Sequence, residues 1–107
     1  MLPPSQIKVK IHNSMQSLWL EKGFYANNGR MLICAFDYPE IFDVITYNLP
    51  DVDLAFNEIV VPVTDRHTYN LLLLLLITFF EDTKRRVRTG YIDCQIWRMK
   101  QMSEAHR

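Results

Sequence analysis

The dipeptide Asn28-Gly29, which separates two apolar runs, is the feature that most constrains the fold of this chain. Both residues tolerate the positive φ angles of a type I′ turn, so the pair predicts a two-residue β-hairpin connection. The register that follows from this turn pairs three residues on each side: Asn27 with Arg30, Tyr25 with Leu32 and Gly23 with Cys34. The chain should therefore build its sheet from neighbouring antiparallel strands.

The flanking segments extend this hairpin into a meander. Residues 7–11 alternate apolar with polar, mostly basic side chains, which is typical of an edge strand with one wet face, and residues 16–25 continue as a second strand. Residues 31–36 are apolar on both faces and predict a central strand covered on both sides. Pro39 predicts a type I turn with proline at its second position, after which residues 41–49 return antiparallel.

The second half of the chain predicts a strand, a helix and a final strand. Glu58–Val63 is β-branched, and Pro62 restricts it to a sheet edge or a strand end. Thr64 or Asp65 can cap a helix over residues 66–84, and residues 91–99 form the last strand. We therefore expect one α+β domain over residues 1–107, with an antiparallel five- to six-stranded meander sheet, one apolar helix packed on a face and a frayed tail from residue 100.

The centre of the predicted helix is apolar on all sides. Residues 71–80 are interrupted only by Thr78 and are too few to cross a bilayer, which takes roughly 20 residues. A helix lying on one sheet should keep a polar outer stripe, so a second covering surface is implied. We expect a homodimer, with candidate interface residues on this helix: Leu72, Leu75, Leu76 and Phe79.

Charge is segregated along a chain whose formal net charge is zero. Residues 31–65 carry acids without Lys or Arg, whereas residues 66–107 are mainly basic. Cys34 and Cys94 lie in strand-like runs, and two buried thiols are expected rather than a disulfide. Residues 1–10 lack an apolar signal core, so we expect a cytoplasmic protein.

Two short motifs carry a resemblance to a known family. Tyr25 with Asn27-Asn28-Gly29-Arg30, followed by Tyr47-Asn48-Leu49-Pro50, resembles the core of a family of short bacterial proteins classed as a domain of unknown function. Gly90-Tyr91 and Trp97 extend the likeness into the last strand. The resemblance implies an origin on conjugative elements or phages, whose small proteins often inhibit host defence, as anti-CRISPR proteins do. It supplies no catalytic residue.

The sequence contains no pattern that predicts an enzyme. Cys34 lies within a strand rather than at a helix start, so no nucleophile motif can be argued. A zinc site from Cys34, Cys94 and His67 is conceivable, but structural zinc sites usually show paired ligands, and buried thiols are favoured. We expect no catalytic residues, no cofactor and no metal.

Two charged sets are candidate binding surfaces. The acidic set, which can imitate phosphates and steer toward a basic groove of a partner, comprises Asp37, Glu40, Asp43, Asp51 and Asp53. The basic set, with aromatic residues that can stack on bases, comprises Lys84, Arg85, Arg86, Arg88, Tyr91 and Trp97. The leading hypothesis is a mobile-element protein that binds and inhibits a host defence protein or nucleoprotein; the alternative is a nucleic-acid-binding accessory protein.

Overall fold

The computed structural model describes residues 5–63 and 69–100. These residues form seven strands and one helix, an arrangement of the α+β class, as the sequence predicts. The elements are β1 Ser5–Ile11, β2 Ser14–Phe24, β3 Met31–Asp37, β4 Glu40–Val44, β5 Glu58–Pro62, α1 Tyr69–Thr78, β6 Phe80–Thr89 and β7 Ile92–Met99.

The strands form two sheets rather than one. The first sheet has the order β1-β2-β3-β4, which confirms the predicted meander of the first four strands. The second has the order β5-β7-β6, so the last strand inserts between two earlier ones. The single meander is therefore wrong: local turn signals predict pairing of neighbours in sequence, whereas β5 pairs with a strand some thirty residues later. An antiparallel bridge between Tyr47 and Val60 attaches the segment that follows β4 to strand β5 of the second sheet.

The type I′ turn occurs at a different place from the one predicted. His12 and Asn13 connect β1 to β2 with φ of 52° and 64°, the two positive angles that this turn requires. Between β2 and β3 the Tyr25 N–H donates to the Arg30 carbonyl oxygen at 2.8 Å, so four residues, 26–29, separate the last paired residues instead of two. Gly23 therefore pairs with Leu32 instead of Cys34, a slip of two residues that leaves every side chain on its predicted face.

The β3–β4 connection also differs in detail. Asp37 pairs with Glu40, which leaves Tyr38 and Pro39 as the two central residues. The Tyr38–Pro39 peptide bond is cis, and the proline occupies the third turn position rather than the predicted second.

The main core lies between the inner faces of the two sheets. Leu18, Leu20 and Ile33 from the first sheet and Ile59 and Trp97 from the second are at most 2% exposed. Helix α1 contacts β1, an edge strand of the first sheet, and β6, an edge strand of the second. The helix therefore covers one side of the core between the two sheets. The Asn70 Nδ2 donates to the Lys10 carbonyl oxygen at 2.9 Å, which satisfies a backbone group of edge strand β1.

Helix α1 is shorter than predicted. It ends at Thr78, and residues 80–89 form strand β6, because they pair with β7 across the Gly90-Tyr91 turn. The predicted caps Thr64 and Asp65 lie outside the described residues. Within the described residues, no helix is long and apolar enough to span a membrane.

The residues proposed for a helix-mediated dimer are only partly available. Leu72 and Leu75 are 2% and 0% exposed because they lie in the main core, and Leu76 and Phe79 are half-buried against it. The exposed large hydrophobic residues of the helix are instead Tyr69, Leu73 and Ile77. A second copy that docked on this helix would meet those three side chains.

A smaller core lies on the outer face of the second sheet. Val60, Cys94 and Ile96 are at most 1% exposed, and the segment that follows β4 covers them with four half-buried side chains: Tyr47, Leu49, Val52 and Leu54. The second sheet therefore carries apolar side chains on both faces, which explains why all five residues of β5 are buried.

Candidate partner-binding site

The segment between the two sheets contains a polar loop that the rest of the protein holds in place. We call residues 48–57 the acidic loop; it carries Asp51 and Asp53. Arg30 donates from Nη1 to the Leu49 carbonyl oxygen at 2.8 Å and from Nη2 to the Val52 carbonyl oxygen at 2.6 Å. A single planar guanidinium therefore fixes two points of the loop backbone.

Side-chain amides add a second attachment at the start of the loop. Asn48 donates from Nδ2 to Asn27 Oδ1 at 3.0 Å and accepts at Oδ1 from Asn28 Nδ2 at 2.9 Å. The Tyr25 hydroxyl reaches the backbone and the hydroxyl of Thr46 at 3.2 and 3.0 Å. The two motifs of the sequence, one around Asn27 and the other around Asn48, therefore contact each other directly.

The second sheet holds the far end of the loop. Arg85 donates from Nη2 to the Asp53 carbonyl oxygen at 2.6 Å and pairs through Nη1 with Glu58 Oε1 at 3.1 Å. The same Glu58 oxygen accepts the Ala55 N–H at 2.9 Å, and Arg98 lies 3.4 Å from its other oxygen. Glu58 is only 6% exposed, so its charge is buried among paired partners.

The loop presents charge and an aromatic ring outward. Asp51 and Asp53 are exposed, and the Phe56 side chain is 92% exposed, while Leu49, Val52 and Leu54 point into the smaller core. Sequence reasoning did not select Phe56, although it is the one aromatic residue within the acidic loop. A rigid negative loop with an exposed ring can bind a basic partner surface that contains an apolar pocket.

The five acids proposed for partner binding fall into two groups. Asp37 and Glu40 are exposed at the β3–β4 turn, and Asp43 is half-buried in β4. The acidic loop is bound to the opposite end of β3, next to Arg30. Seven strand residues separate the groups, roughly 20 Å at the usual rise. The five acids therefore do not form one compact negative surface.

Three of the four cationic side chains in the basic set are already paired with acids. Arg85 binds Glu58, and Arg86 binds Asp82 through both carboxylate oxygens at 2.9 Å. Hydrogen bonding from Arg86 holds the pKa of the Asp82 carboxyl below its ordinary value of 3.8. Arg88 lies 3.2 Å from Asp93 with both side chains largely exposed.

The basic residues lie on a strand with an irregularity. Asp82 pairs with Trp97 and Arg86 pairs with Gln95, so β6 has three residues between these pairs where β7 has one. Lys84, one of the three, has a positive φ of 72°. Such a bulge bends strand β6 and hinders pairing with another chain at this edge. Lys84 itself is exposed.

The two aromatic residues of the basic set have opposite surroundings. Trp97 is 2% exposed, its ring centroid lies 6.1 Å from that of Phe80, and its Nε1 donates to Gln95 Oε1 at 2.9 Å. It is a core residue and cannot stack on a base. Tyr91 is 96% exposed at the β6–β7 turn.

The thiols are buried, as the sequence predicts. Cys34 and Cys94 are free cysteines, and burial raises the pKa of both above the ordinary value of 9.0. Among the described residues, no group of three His, Cys, Asp or Glu side chains could hold a metal ion.

The fold and the acidic loop define a small α+β protein of two antiparallel sheets with a fixed, negatively charged loop. Comparisons with protein-family models, curated proteins and solved structures found no significant match to this chain. The family resemblance therefore stays an expectation from the motifs themselves.

Proposed function

We propose that this protein is a non-enzymatic inhibitor from a phage or mobile element, which binds a host defence protein or nucleoprotein through the acidic loop. One observation carries the proposal: the exposed Asp51, Asp53 and Phe56 side chains lie on a backbone that Arg30 and Arg85 hold at three carbonyl oxygens. The mobile-element origin rests on the sequence motifs.

The physical argument for binding concerns entropy and charge. A loop that is ordered before binding loses little conformational freedom on docking, which favours affinity. Carboxylates steer the loop toward basic grooves, and proteins that bind nucleic acid possess such grooves. An exposed aromatic ring offers the large contact area that interface anchors share.

The test compares two variants with the same change in charge and aromatic content. Asp51→Lys with Phe56→Ser alters the acidic loop, and Asp93→Lys with Tyr91→Ser alters the β6–β7 turn. All four side chains are exposed, so both variants should fold. Nuclease-treated lysate of a bacterial host is passed over each immobilised protein, and captured proteins are identified by mass spectrometry.

The parent and the turn variant should capture the same host protein, and the loop variant should capture at least about tenfold less, a loss of about 1.4 kcal/mol in affinity. In a host with an active defence system, expression of the parent should restore phage plating and the loop variant should not. Equal capture by both variants would contradict the proposed site. Failure of the parent protein to restore phage plating would contradict the proposed function.

The alternative, a nucleic-acid-binding accessory protein, is favoured by one feature. Tyr91 projects at the β6–β7 turn, and Arg88, 64% exposed, lies close by in sequence. Lys84→Ala with Arg88→Ala should then weaken binding to single-stranded DNA and lower the salt slope by about 0.7 for each lost phosphate contact. Fluorescence anisotropy titrations at several salt concentrations between about 50 and 200 mM measure the affinity and its salt slope. Absence of binding by the parent at the lowest salt concentration excludes this alternative.

A further inference from the structure

Three aromatic rings lie together on the outer face of the first sheet, the face opposite the main core. Trp19 pairs with Phe36 across β2 and β3, and Tyr38 stacks on Phe36 with 5.1 Å between the ring centroids and 5° between the ring planes. Trp19 is 37% and Tyr38 54% exposed, so both rings reach the solvent. We call these three residues the aromatic group. Exposed rings of this kind are the surfaces on which nucleic-acid bases stack.

The exposed charges beside the aromatic group are positive. Lys8 pairs with Ser17 and Lys10 pairs with Met15, which lie two and four residues before Trp19 on β2. Both lysines therefore project from the same face as the aromatic group. Both side chains are exposed, and none of the ion pairs between described residues uses either ammonium group. This part of the face therefore attracts anions.

The acids nearby do not cancel this charge. Asp37 and Glu40 form the residue pair that follows Phe36, so their side chains project from the opposite face of the sheet. Glu21 shares the face with the aromatic group, but it is half-buried and lies two residues beyond Trp19, on the side away from the lysines. The lysines and the aromatic group therefore form a positive, aromatic surface.

A single strand of DNA carries the two groups that this surface fits. Its phosphates pair with ammonium groups and its bases stack on aromatic rings. Strand β1, which carries the lysines, lies two strands from β3, roughly 10 Å at the usual spacing, so one strand of DNA can reach both.

The border of the aromatic group favours deoxyribose over ribose. Ile41 pairs with Phe36 and is 59% exposed, so a sugar next to the stacked bases would contact an apolar side chain. A ribose 2′-hydroxyl would lose its hydrogen bonds to water there. We propose that the outer face of the first sheet binds single-stranded DNA, with bases stacked on Trp19 and Tyr38 and with phosphates at the two lysines.

The size and charge of the face set the expected strength. Four strands about 4.8 Å apart give a width of roughly 15–20 Å, enough for about two or three stacked bases. Because the chain has a formal net charge of zero, we expect weak, salt-sensitive binding, with a Kd of about 10–100 μM at about 50 mM salt. The acidic loop covers the outer face of the second sheet, so this inference does not depend on the proposed function.

Tryptophan fluorescence tests the stacking. Trp97 is 2% exposed, so a change in emission on addition of an oligothymidylate of about twelve nucleotides reports on Trp19. The parent should be quenched and Trp19→Phe should not. Anisotropy of the labelled oligonucleotide should show that Trp19→Phe still binds within about threefold of the parent, because phenylalanine also stacks on bases. Tyr38→Ala should weaken binding at least about fivefold.

A pair of matched charge variants locates the phosphate contacts. Lys8→Gln with Lys10→Gln should weaken binding at least about tenfold at about 50 mM salt and lower the salt slope by about 0.7 for each lost contact. The control, Lys84→Gln with Arg88→Gln, removes the same charge from the second sheet and should bind within about threefold of the parent. All four side chains are exposed, so both variants should fold.

Four results would overturn the inference. The first is a parent that does not bind the oligothymidylate at about 1 mM and about 50 mM salt. The second is binding that leaves the tryptophan emission unchanged. The third is a larger loss in the control than in the β1 lysine variant, which would place DNA on the basic set. The fourth is tighter binding of oligouridylate than of oligodeoxyuridylate, which differ in the 2′-hydroxyl and would assign the face to RNA.

Discussion

Arg30 donates a 2.6 Å hydrogen bond from Nη2 to the carbonyl oxygen of Val52, 22 residues further along the chain. The bond joins the β2–β3 connection to the acidic loop. The arginine guanidinium is a rigid planar group with several donors, and here it donates to two carbonyl oxygens. A lysine ammonium group could not donate to both oxygens with the same geometry. The position of the acidic loop therefore depends on a residue that the sequence places in a turn.

Replacement of Arg30 by lysine tests this dependence. The charge is kept but the fork is lost, so we expect a fall of about 1–2 kcal/mol in the free energy of unfolding. Amide hydrogen exchange should accelerate in the acidic loop and stay slow in β2 and β3. Unchanged exchange in the loop would show that the smaller core alone fixes it.

Substitution of Glu58 by glutamine should destabilise the protein. The change leaves Arg85 and Arg98 without their buried partner, and because both arginines are nearly half exposed we expect a cost of about 2 kcal/mol. Urea unfolding measures it. Asp93→Asn, which breaks an exposed pair with Arg88, is the control and should cost less than about 0.5 kcal/mol. Equal effects would contradict the burial of Glu58.

The Asp82 carboxyl should contribute a pH-dependent part of the stability. Hydrogen bonding from Arg86 lowers the pKa of Asp82 in the folded protein. The ionised carboxyl therefore stabilises the fold at pH values above its ordinary pKa of 3.8, and this stabilisation is lost as the pH falls through the lower pKa of the folded state. Asp82→Asn should therefore destabilise the protein at neutral pH, and the difference from the parent should shrink on acidification. Thermal unfolding across this pH range measures the difference in stability between the parent and Asp82→Asn. When both proteins also carry Arg86→Gln, most of the pH dependence of this difference should disappear.

The native thiols should react slowly. Cys34 and Cys94 are 9% and 0% exposed, and burial raises the pKa of both, so little thiolate is accessible near neutral pH. A chromogenic disulfide reagent should label neither at an appreciable rate until the protein is unfolded. Tyr91→Cys, at a position that is 96% exposed, provides the fast control. A native thiol that reacts as quickly as this control would contradict the packing.

Several features followed from short-range patterns. The alternation of Val9 and Ile11 with lysines predicted an edge strand with one buried face, and β1 is that strand. Pro62 ends β5, and β5 is an edge strand, as expected of a residue that lacks a backbone donor. These predictions succeeded because they depend on the period of the side chains or on one residue's own geometry.

Two other features of the fold, the β2–β3 connection and the end of helix α1, lie where the local sequence allows two conformations of similar energy. Asn28-Gly29 suits a two-residue turn, but four residues, 26–29, lie between the paired residues Tyr25 and Arg30. In this longer connection Asn27, Asn28 and Arg30 bind the segment from Asn48 to Val52. Similarly, residues 80–84 fit the end of a helix by composition, yet they belong to strand β6, in which Phe80, Glu81 and Asp82 pair with β7. In both places a distant partner outweighs a local preference of the order of 1 kcal/mol.

The sequence by itself determined the α+β class, the order of the first four strands and the buried face of β1, because alternation with a period of two records which side meets the core. Only the tertiary structure decided the division into two sheets, the end of α1 at Thr78 and the separation of the acids at the two ends of β3. It also decided that Trp97 is a core residue and that Phe56 is exposed. Those outcomes depend on contacts between residues far apart in the chain, whose energies no local pattern contains.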